Sequence, residues 1–257
     1  GLGFEGADGN EDTDPVTPHL RALDGINPMD RGFREALEAG VTAVAVSPGS
    51  ANLVGGQIAL IKTAGRRVDD MVVKAPLAIK FALGENPKSV YQDKDGAPVT
   101  RMATAALIRE QLYKAKEYLA RRERAESDPE DDGPDYDIKL EALLPLLWGK
   151  IEAHFHAHRA DDIFTALRIA KEFGIKPVII HGTEAPLVAD LLAADGVPVV
   201  SRPYTTERYQ PEIRTLTHEP PGLRARAVMQ TAVTTTHPQA PLLLIRLAPQ
   251  PPGLRAR

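Results

Sequence analysis

Two consecutive strand–helix–strand patterns fill residues 150–201, and they constrain the fold more than any other part of the sequence. In order, the segment reads as strand KIEAHFHAH, helix DDIFTALRIAKEF, strand KPVIIHG, helix EAPLVADLLAAD and strand VPVVS. Asp161 and Thr183 are predicted to be the N-caps of the two helices, and Gly174 and Gly196 are predicted to end them. Apolar strands joined by such short connections predict neighbouring parallel strands in an α/β sheet that is covered on both faces.

The sequence before this segment predicts further elements. Asp30 is a natural N-cap for a short helix that stops at Gly40, and the apolar run VTAVAV follows as a strand. The runs IALIKT and LAIKFAL are both predicted to be strands. A long helix from Thr100 and the later helix IKLEALLPLLW predict a helical insertion at about residues 100–148. We assign no chemistry to this insertion, because a charged helix of this kind is typical of a solvated face.

The composition limits the chemistry that the chain can perform. With 257 residues, of which 43% are hydrophobic, it can form one large domain or two small ones. It contains no cysteine, so a metal ion would be held by nitrogen and oxygen ligands, which suits zinc, iron or manganese.

The charge pattern and the apolar runs limit the partners. The formal net charge of -4 and the interleaved basic and acidic residues argue against a nucleic-acid partner. No apolar run approaches the roughly 20 residues that span a bilayer, and the N-terminal sequence lacks a basic region leading into an apolar one. The sequence therefore predicts a soluble, cytoplasmic protein without a membrane partner.

Four of the seven histidines lie in two neighbouring predicted strands. His154, His156 and His158 alternate along one strand, so their side chains would share a face at a spacing of about 6.5 Å. His181 closes the next strand. Because the C-terminal ends of parallel strands meet at one edge of a sheet, these histidines are expected to lie within reach of a common metal ion. The alternative is a polar strand end at which histidine is simply tolerated.

Two other kinds of site are weaker alternatives. The glycine-rich stretch VSPGSANLVGGQ could hold an anion with its backbone amides, although such a stretch after a strand is usually only a turn. Ser47 or Ser50 could serve a Ser-His-Asp hydrolase, but the sequence has no G-x-S-x-G elbow. We therefore favour the metal site.

The segments FHAHRADD and VIIHGTE, separated by a helix, resemble the fifth and sixth barrel strands of the amidohydrolase superfamily, in particular its imidazolonepropionase-like and prolidase-like branch. The stretches GADGNEDTDPVTPHLRALDGINPMDRGFREALEAGVTAVAVSPGSANLVGGQ and KFALGENPK resemble earlier parts of the same group. The resemblance implies an α/β fold of the TIM-type (β/α)8 barrel kind over residues 1–202, with the helical insertion inside it. Residues 203–257 would form a poorly specified remainder of the barrel or a tail. A doubly wound open sheet is the alternative fold.

The resemblance also implies roles for individual residues. His156 and His181 match the histidines that bind a divalent metal in the family, which we expect to be zinc, with iron and manganese as alternatives. His158 would contact the substrate or orient a ligand, while His154 would be buried deeper. Lys80, in AIKFALG, stands where members with two metals carry a carboxylated lysine that bridges them.

Two features of the family pattern are missing. The first barrel strand of the family carries a His-x-His pair, and no such pair precedes His154, so we expect a chain truncated before that strand. The stretch TTTHPQAP resembles the end of the eighth strand, but Thr236 stands in place of the aspartate that binds metal and accepts a proton. His237, beside it, is a candidate catalytic residue, as are Lys80 and His158.

The resemblance as a whole implies a metal-dependent hydrolase of C–N bonds that acts on a small-molecule amide or cyclic amide. Turnover would be impaired, because metal ligands of the family pattern are missing and a threonine hydroxyl is too weakly basic to replace the aspartate. Strand edges left unpaired by a missing strand would also favour a homo-oligomer. The alternative is a non-catalytic binding or structural protein that retains only the scaffold.

Overall fold

The computed structural model describes residues 8–128 and 130–201 together with the short strand at 231–233. These residues form a mixed α/β fold around a seven-stranded sheet whose strands are neighbours in chain order. The strands are β1 (Ala43–Val46), β2 (Val54–Lys62), β3 (Val72–Ala82), β4 (Glu152–Ala157), β5 (Pro177–His181), β6 (Val199–Ser201) and β7 (Thr231–Val233). The α-helices are α1 (Arg31–Glu38), α2 (Val68–Met71), α3 (Glu85–Gln92), α4 (Arg101–Ser127), α5 (Ile138–Leu147), α6 (Ala160–Phe173) and α7 (Ala189–Ala194). Further 3-10 turns lie at Ala22–Gly25 and Ala185–Val188.

The sheet has an antiparallel part and a parallel part. Strands β1, β2 and β3 pair antiparallel, with three register shifts between β2 and β3. From β3 to β7 every neighbouring pair is parallel. The two strands predicted at IALIKT and LAIKFAL are confirmed, but their antiparallel pairing departs from the strand–helix alternation that a (β/α)8 barrel implies. The reason is the short connection through α2, because a parallel crossover needs a dozen residues or more.

The predicted helices of residues 150–201 are present, but their predicted N-caps are wrong. The N-cap position of α6 is Arg159, not Asp161, and its side chain does not cap the helix. Instead, the Glu184 carboxylate accepts a hydrogen bond from the Ala160 amide at 2.8 Å. Thr183 precedes a 3-10 turn rather than capping α7, and its hydroxyl is used elsewhere. The stop at Gly174 is confirmed, because its φ of 67° is left-handed.

Other helix boundaries follow their local sequence signals. The Asp30 side chain caps α1 by accepting from the Gly32 amide, and the Thr100 hydroxyl caps α4. Both helices predicted inside the insertion, α4 and α5, are present. Helix α3 was not predicted, because it follows Gly84 and has no Ser, Thr, Asp or Asn cap.

One large hydrophobic core lies between the parallel strands and helices α4, α5 and α6. At its centre the Phe81 and Phe155 rings stack with centroids 4.8 Å apart, and both side chains are fully buried. A smaller cluster of Ala59, Ile61 and Met71 lies against β1 and β2. Within the described ranges, no helix has the length and apolar character needed to cross a membrane.

Candidate functional site

The candidate site lies at the C-terminal ends of β3, β4 and β5. In the parallel register Ala82 of β3 lies beside His156 of β4, and Ala157 of β4 lies beside His181 of β5. The two histidines that the sequence assigned to metal binding are therefore on adjacent strands and at matching ends. This edge is where the loops and helix N-termini of parallel α/β folds meet.

Three imidazole rings meet at this edge. The ring centroid of His156 lies 4.8 Å from that of His158 and 4.6 Å from that of His181, and the His158 and His181 rings stack at 5.2 Å. All three side chains are buried, with 2–6% of their surface exposed. Burial of several imidazoles against one another is costly unless their nitrogens have partners, so the ring nitrogens decide what the cluster can do.

The backbone of His181 explains why its ring joins the cluster. The register pairs His181 with Ala157, and alternation along β4 places Ala157 on the opposite face from His156. The φ of His181 is 76°, a left-handed conformation that is uncommon outside glycine. This departure from extended backbone ends the alternation and allows the ring to lie beside His156. Such strained residues cluster at functional sites.

Two loops and the first turn of α3 supply hydrogen-bond partners to these rings. The Thr183 hydroxyl lies 2.7 Å from Nδ1 of His158. Ser50 Oγ lies 3.0 Å from Nδ1 of His156, and the Asn86 amide nitrogen lies 3.3 Å from Nε2 of the same ring. His156 is thus fixed on both sides, by side chains far from it in sequence.

Lys80 lies against the loop after β1, which contains Ser50, and is connected to His156 through the Ser50 hydroxyl. Its Nζ donates to Ser50 Oγ at 2.8 Å and to the carbonyl oxygens of Gly49 and Pro48 at 3.0 and 3.3 Å. The side chain is almost fully buried, and burial lowers the pKa of Lys80 to about 7. The lysine that the resemblance places at a bridging position is therefore part of the buried polar network of the site.

The loop after β1 does not form the anion-binding site that the sequence VSPGSANLVGGQ offered as an alternative. Its carbonyl groups at Pro48 and Gly49 face the amine of Lys80, and the Gly49 and Ala51 amides donate to Gly9 O and Asn10 Oδ1. Carbonyl groups directed at an amine stabilise a cation, not an anion. Ser47 is turned to its own neighbour, because its hydroxyl donates to Pro48 O.

The remaining candidates lie away from the three rings or outside the described residues. His154 is at the level of Lys80 in the register, and its Nε2 lies 3.3 Å from Glu152 Oε2. Burial lowers the pKa of His154. Thr236 and His237 lie outside the residues that the structure describes.

Acidic side chains beside the site are engaged with basic ones. Arg101 donates to both oxygens of Asp162 at 3.0 and 3.1 Å and lies 3.7 Å from Glu85, which also pairs with Lys88. Asp162 is buried, and this burial raises its pKa despite the nearby guanidinium of Arg101. These pairs join the N-terminal turns of α3, α4 and α6 around the site.

The donor chemistry of the cluster fits a divalent metal, but the ligand set is not complete. Imidazole nitrogen is a preferred ligand of zinc, and hydroxyl partners on Nδ1 are the kind of outer contact that orients a ligating histidine. Across residues 8–128 and 130–201, however, no group of three or more His, Cys, Asp or Glu side chains is arranged to hold an ion. His156 and His181 therefore fit as two ligands of a site that needs others.

Sequence reasoning missed the partners of the rings. Ser50 was weighed as a nucleophile, whereas its hydroxyl contacts Lys80 and His156. Asn86 and Thr183 were not considered as site residues. Thr183 lies two residues after His181, at the end of β5, and this position in the sequence could have indicated a site residue. Nothing local in the sequence indicates that Asn86 reaches a histidine 70 residues away.

Two proteins named as amidohydrolases match the chain. The crystal structure of an amidohydrolase from Thermotoga maritima MSB8 superposes with a TM-score of 0.90 at 45% identity, and the match covers 94% of this chain and 63% of that one. Amidohydrolase tasK of Hapsidospora irregularis is 31% identical over 211 residues, which cover 73% of this chain and 21% of that protein. The chain thus spans about a fifth of the one relative and less than two thirds of the other. No family model matches the sequence. The level of identity and the shared fold establish that the chain belongs to the amidohydrolase superfamily.

Proposed function

We propose that this chain carries part of the metal centre of a hydrolase that cleaves C–N bonds in small-molecule amides or cyclic amides. The observation that carries the proposal is the meeting of three buried imidazoles, His156, His158 and His181, at the C-terminal ends of two adjacent strands. The names of the two relatives support the reaction class. The resemblance to the imidazolonepropionase-like and prolidase-like branch supports the substrate class.

His156 and His181 would hold the metal, with zinc favoured over iron or manganese by their nitrogen ligands. When bound, the ion would polarise the substrate carbonyl and lower the pKa of a water molecule to about 7. His158, whose Nδ1 lies within hydrogen-bond distance of the Thr183 hydroxyl, would contact the substrate or orient a ligand. Ser50 keeps the His156 ring in one orientation.

Lys80 is proposed as the carboxylated lysine of a site with two metals. Its burial in the strand-end network supports this role, because a lysine reacts with carbon dioxide only as the neutral amine and burial favours that form. His237 is proposed as a further catalytic contributor on the resemblance of TTTHPQAP alone. Thr236, in place of an aspartate, supports slow turnover by this chain, because a missing general base costs roughly 10²–10⁴ in rate.

The finer fold proposed for the chain is a TIM-type (β/α)8 barrel that these residues form only in part. The strand order runs from β1 to β7 without reversal, whereas a doubly wound sheet reverses its order at a switch point. The antiparallel start would then be an excursion added to the barrel. The division into residues 1–202 and 203–257, the cytoplasmic location and a homo-oligomeric state stay predictions.

Metal content and hydrolysis together test the function. Protein purified without chelator is analysed for transition metals and then assayed on cyclic amides, N-acyl amino acids and dipeptides. We expect bound metal in the wild type and a clear loss in His156→Ala and His181→Ala. His154→Ala is the matched control, because this histidine pairs with Glu152 and should leave the metal content unchanged.

The rival function is a binding or structural protein that keeps only the scaffold. A wild-type chain without metal, or equal metal content in His156→Ala, His181→Ala and the control, would favour this rival. Turnover at a rate typical of the family would contradict the slow hydrolysis expected from Thr236.

A further inference from the structure

Both ring nitrogens of His156 lie within hydrogen-bond distance of side chains from two different segments. Ser50, in the loop after β1, lies 3.0 Å from Nδ1, and Asn86, in the first turn of α3, lies 3.3 Å from Nε2. The first turn of α3 is itself linked to α4, because the carboxylate of the neighbouring Glu85 lies 3.7 Å from the guanidinium of Arg101. The Asn86 amide is therefore held against the ring by a fixed segment of helix.

The chemistry of these partners fixes the tautomer of the ring. An amide nitrogen can only donate, so Nε2 of His156 accepts a hydrogen bond from Asn86 with its lone pair. A neutral imidazole then carries its hydrogen on Nδ1, which donates to Ser50 Oγ. The Ser50 oxygen also accepts from Lys80 Nζ, so both of its lone pairs are used.

In this tautomer only Nε2 of His156 has a lone pair in the ring plane. A metal would bind through the lone pair that accepts the hydrogen bond from Asn86. A metal binds imidazole through an unprotonated nitrogen, and the hydrogen on the other nitrogen goes to an outer partner, the position that Ser50 occupies. We propose that Asn86 is a positioning residue that competes with the metal for Nε2 of His156 and so weakens metal binding. This inference rests on the proposed function, in which His156 is a metal ligand.

The two partners of one ring therefore act in opposite directions. Ser50 favours metal binding because it stabilises the tautomer in which Nε2 carries no hydrogen. Asn86 stabilises the same tautomer but engages the coordinating lone pair until a metal displaces it. Loss of the Asn86 contact should tighten metal binding by about 2- to 10-fold, the factor that corresponds to one neutral hydrogen bond.

Zinc affinity is measured by competition with a chromophoric chelator for the wild type, Asn86→Ala, Ser50→Ala and Gln92→Ala. We expect tighter binding for Asn86→Ala and weaker binding for Ser50→Ala. Gln92→Ala is the matched control, since it removes an exposed amide from the same helix and should leave the affinity unchanged. Equal or weaker zinc binding by a folded Asn86→Ala would overturn the inference while leaving the metal site itself intact.

Nitrogen-15 NMR of histidine-labelled, chelator-treated protein tests the contact without metal. The wild type should show His156 with its hydrogen on Nδ1. Asn86→Asp, which keeps the size of the side chain but offers only acceptors, should shift the hydrogen to Nε2. A wild-type ring already protonated at Nε2, or a tautomer that Asn86→Asp does not change, would overturn the inference. Absence of zinc binding in every variant would overturn both this inference and the proposed function.

Discussion

The parallel part of the sheet, β3 to β7, contributes the three histidines of the site, whereas the antiparallel part, β1 to β3, contributes a loop that contacts one of them. In the parallel part the location of the histidines follows from their position at the end of each strand, because parallel strands end at the same edge of the sheet. In the antiparallel part the loop after β1 reaches the site from a distance, and Ser50 contacts a ring 106 residues later in the chain. The site therefore depends on how the two parts meet, as well as on the strands that carry the histidines.

The two parts also differ in how they are stabilised. The parallel part shares one large core with α4, α5 and α6, while the antiparallel part has a small cluster around Ile61 and Met71. Long-range polar contacts join them, including the bonds of Asn52 to Thr17 and Tyr91. We call the residues that make these polar contacts the junction, and we include Lys80, which bonds the loop after β1. Substitutions in the large core are expected to lower the free energy of unfolding most, substitutions at the junction less, and local backbone changes least.

The largest effect is expected from Phe155→Ala. Phe155 is fully buried on β4 and stacks on Phe81, so truncation should lower the free energy of unfolding by about 3–5 kcal/mol. Phe33→Ala in the antiparallel part is the comparison, because Phe33 is only partly buried against the small cluster, and it should cost about 1–2 kcal/mol. Urea unfolding measures both changes. Equal losses would contradict the difference between the two parts.

The junction is broken by Asn52→Ala. The Asn52 amide donates to Glu11 O and Thr17 Oγ1, and its oxygen accepts from the Tyr91 hydroxyl at 2.7 Å. Because these groups are largely buried, loss of the amide should lower the free energy of unfolding by about 2–3 kcal/mol. Tyr91→Phe removes one of the three bonds and should cost about 1 kcal/mol. A larger loss in Tyr91→Phe than in Asn52→Ala would show that the network does not centre on Asn52.

The buried amine of Lys80 gives the junction a pH dependence. Burial lowers the pKa of Lys80 to about 7 from 10.5, so between these values the unfolded chain binds more protons than the folded one. The cost of burying the charge is thus fully present below about pH 7 and is relieved as the pH rises. In metal-free protein we expect the free energy of unfolding to gain about 2 kcal/mol from this group between about pH 7 and pH 9.

Unfolding curves of wild type and Lys80→Met across this range isolate the contribution of Lys80. The variant should lack the rise in stability with pH, whereas Lys62→Met, which removes an exposed lysine at the end of β2, should keep it. Parallel pH profiles for wild type and Lys80→Met would show that Lys80 titrates normally.

The same comparison explains what the sequence could predict. Residues 150–201 were predicted almost element by element, because apolar runs and the glycine stop at Gly174 are local signals. The ends of β4 and β5 could therefore be paired, and His156 and His181 were expected together. Helix α3 and the antiparallel pairing of β2 with β3 were missed. The first has no capping signal, and the second depends on the length of one connection.

The polar partners of the site could not be predicted for a different reason. Ser50 and Asn86 reach His156 through the folding of a loop and a helix turn, and their residue types are common in turns that have no site nearby. The ring position of His181 depends on a left-handed φ that a non-glycine residue rarely adopts. Such contacts follow from tertiary packing, which a single sequence does not encode in any local pattern.

The smallest effect is expected from a pair of glycine substitutions, one in each part. Gly174 ends α6 with a φ of 67°, and a Cβ built there meets nothing within 4 Å, so Gly174→Ala tests the backbone conformation alone. The left-handed conformation costs an L-residue about 1–2 kcal/mol, and the free energy of unfolding should fall by about 1 kcal/mol.

Gly25, at the end of a 3-10 turn in the antiparallel part, is equally open but has no left-handed φ. Gly25→Ala should therefore be neutral or slightly stabilising, because alanine reduces the entropy of the unfolded chain. Thermal and urea unfolding of the two variants give the comparison directly, and a loss in Gly25→Ala as large as that in Gly174→Ala would show that the stop at Gly174 owes nothing to glycine's backbone freedom.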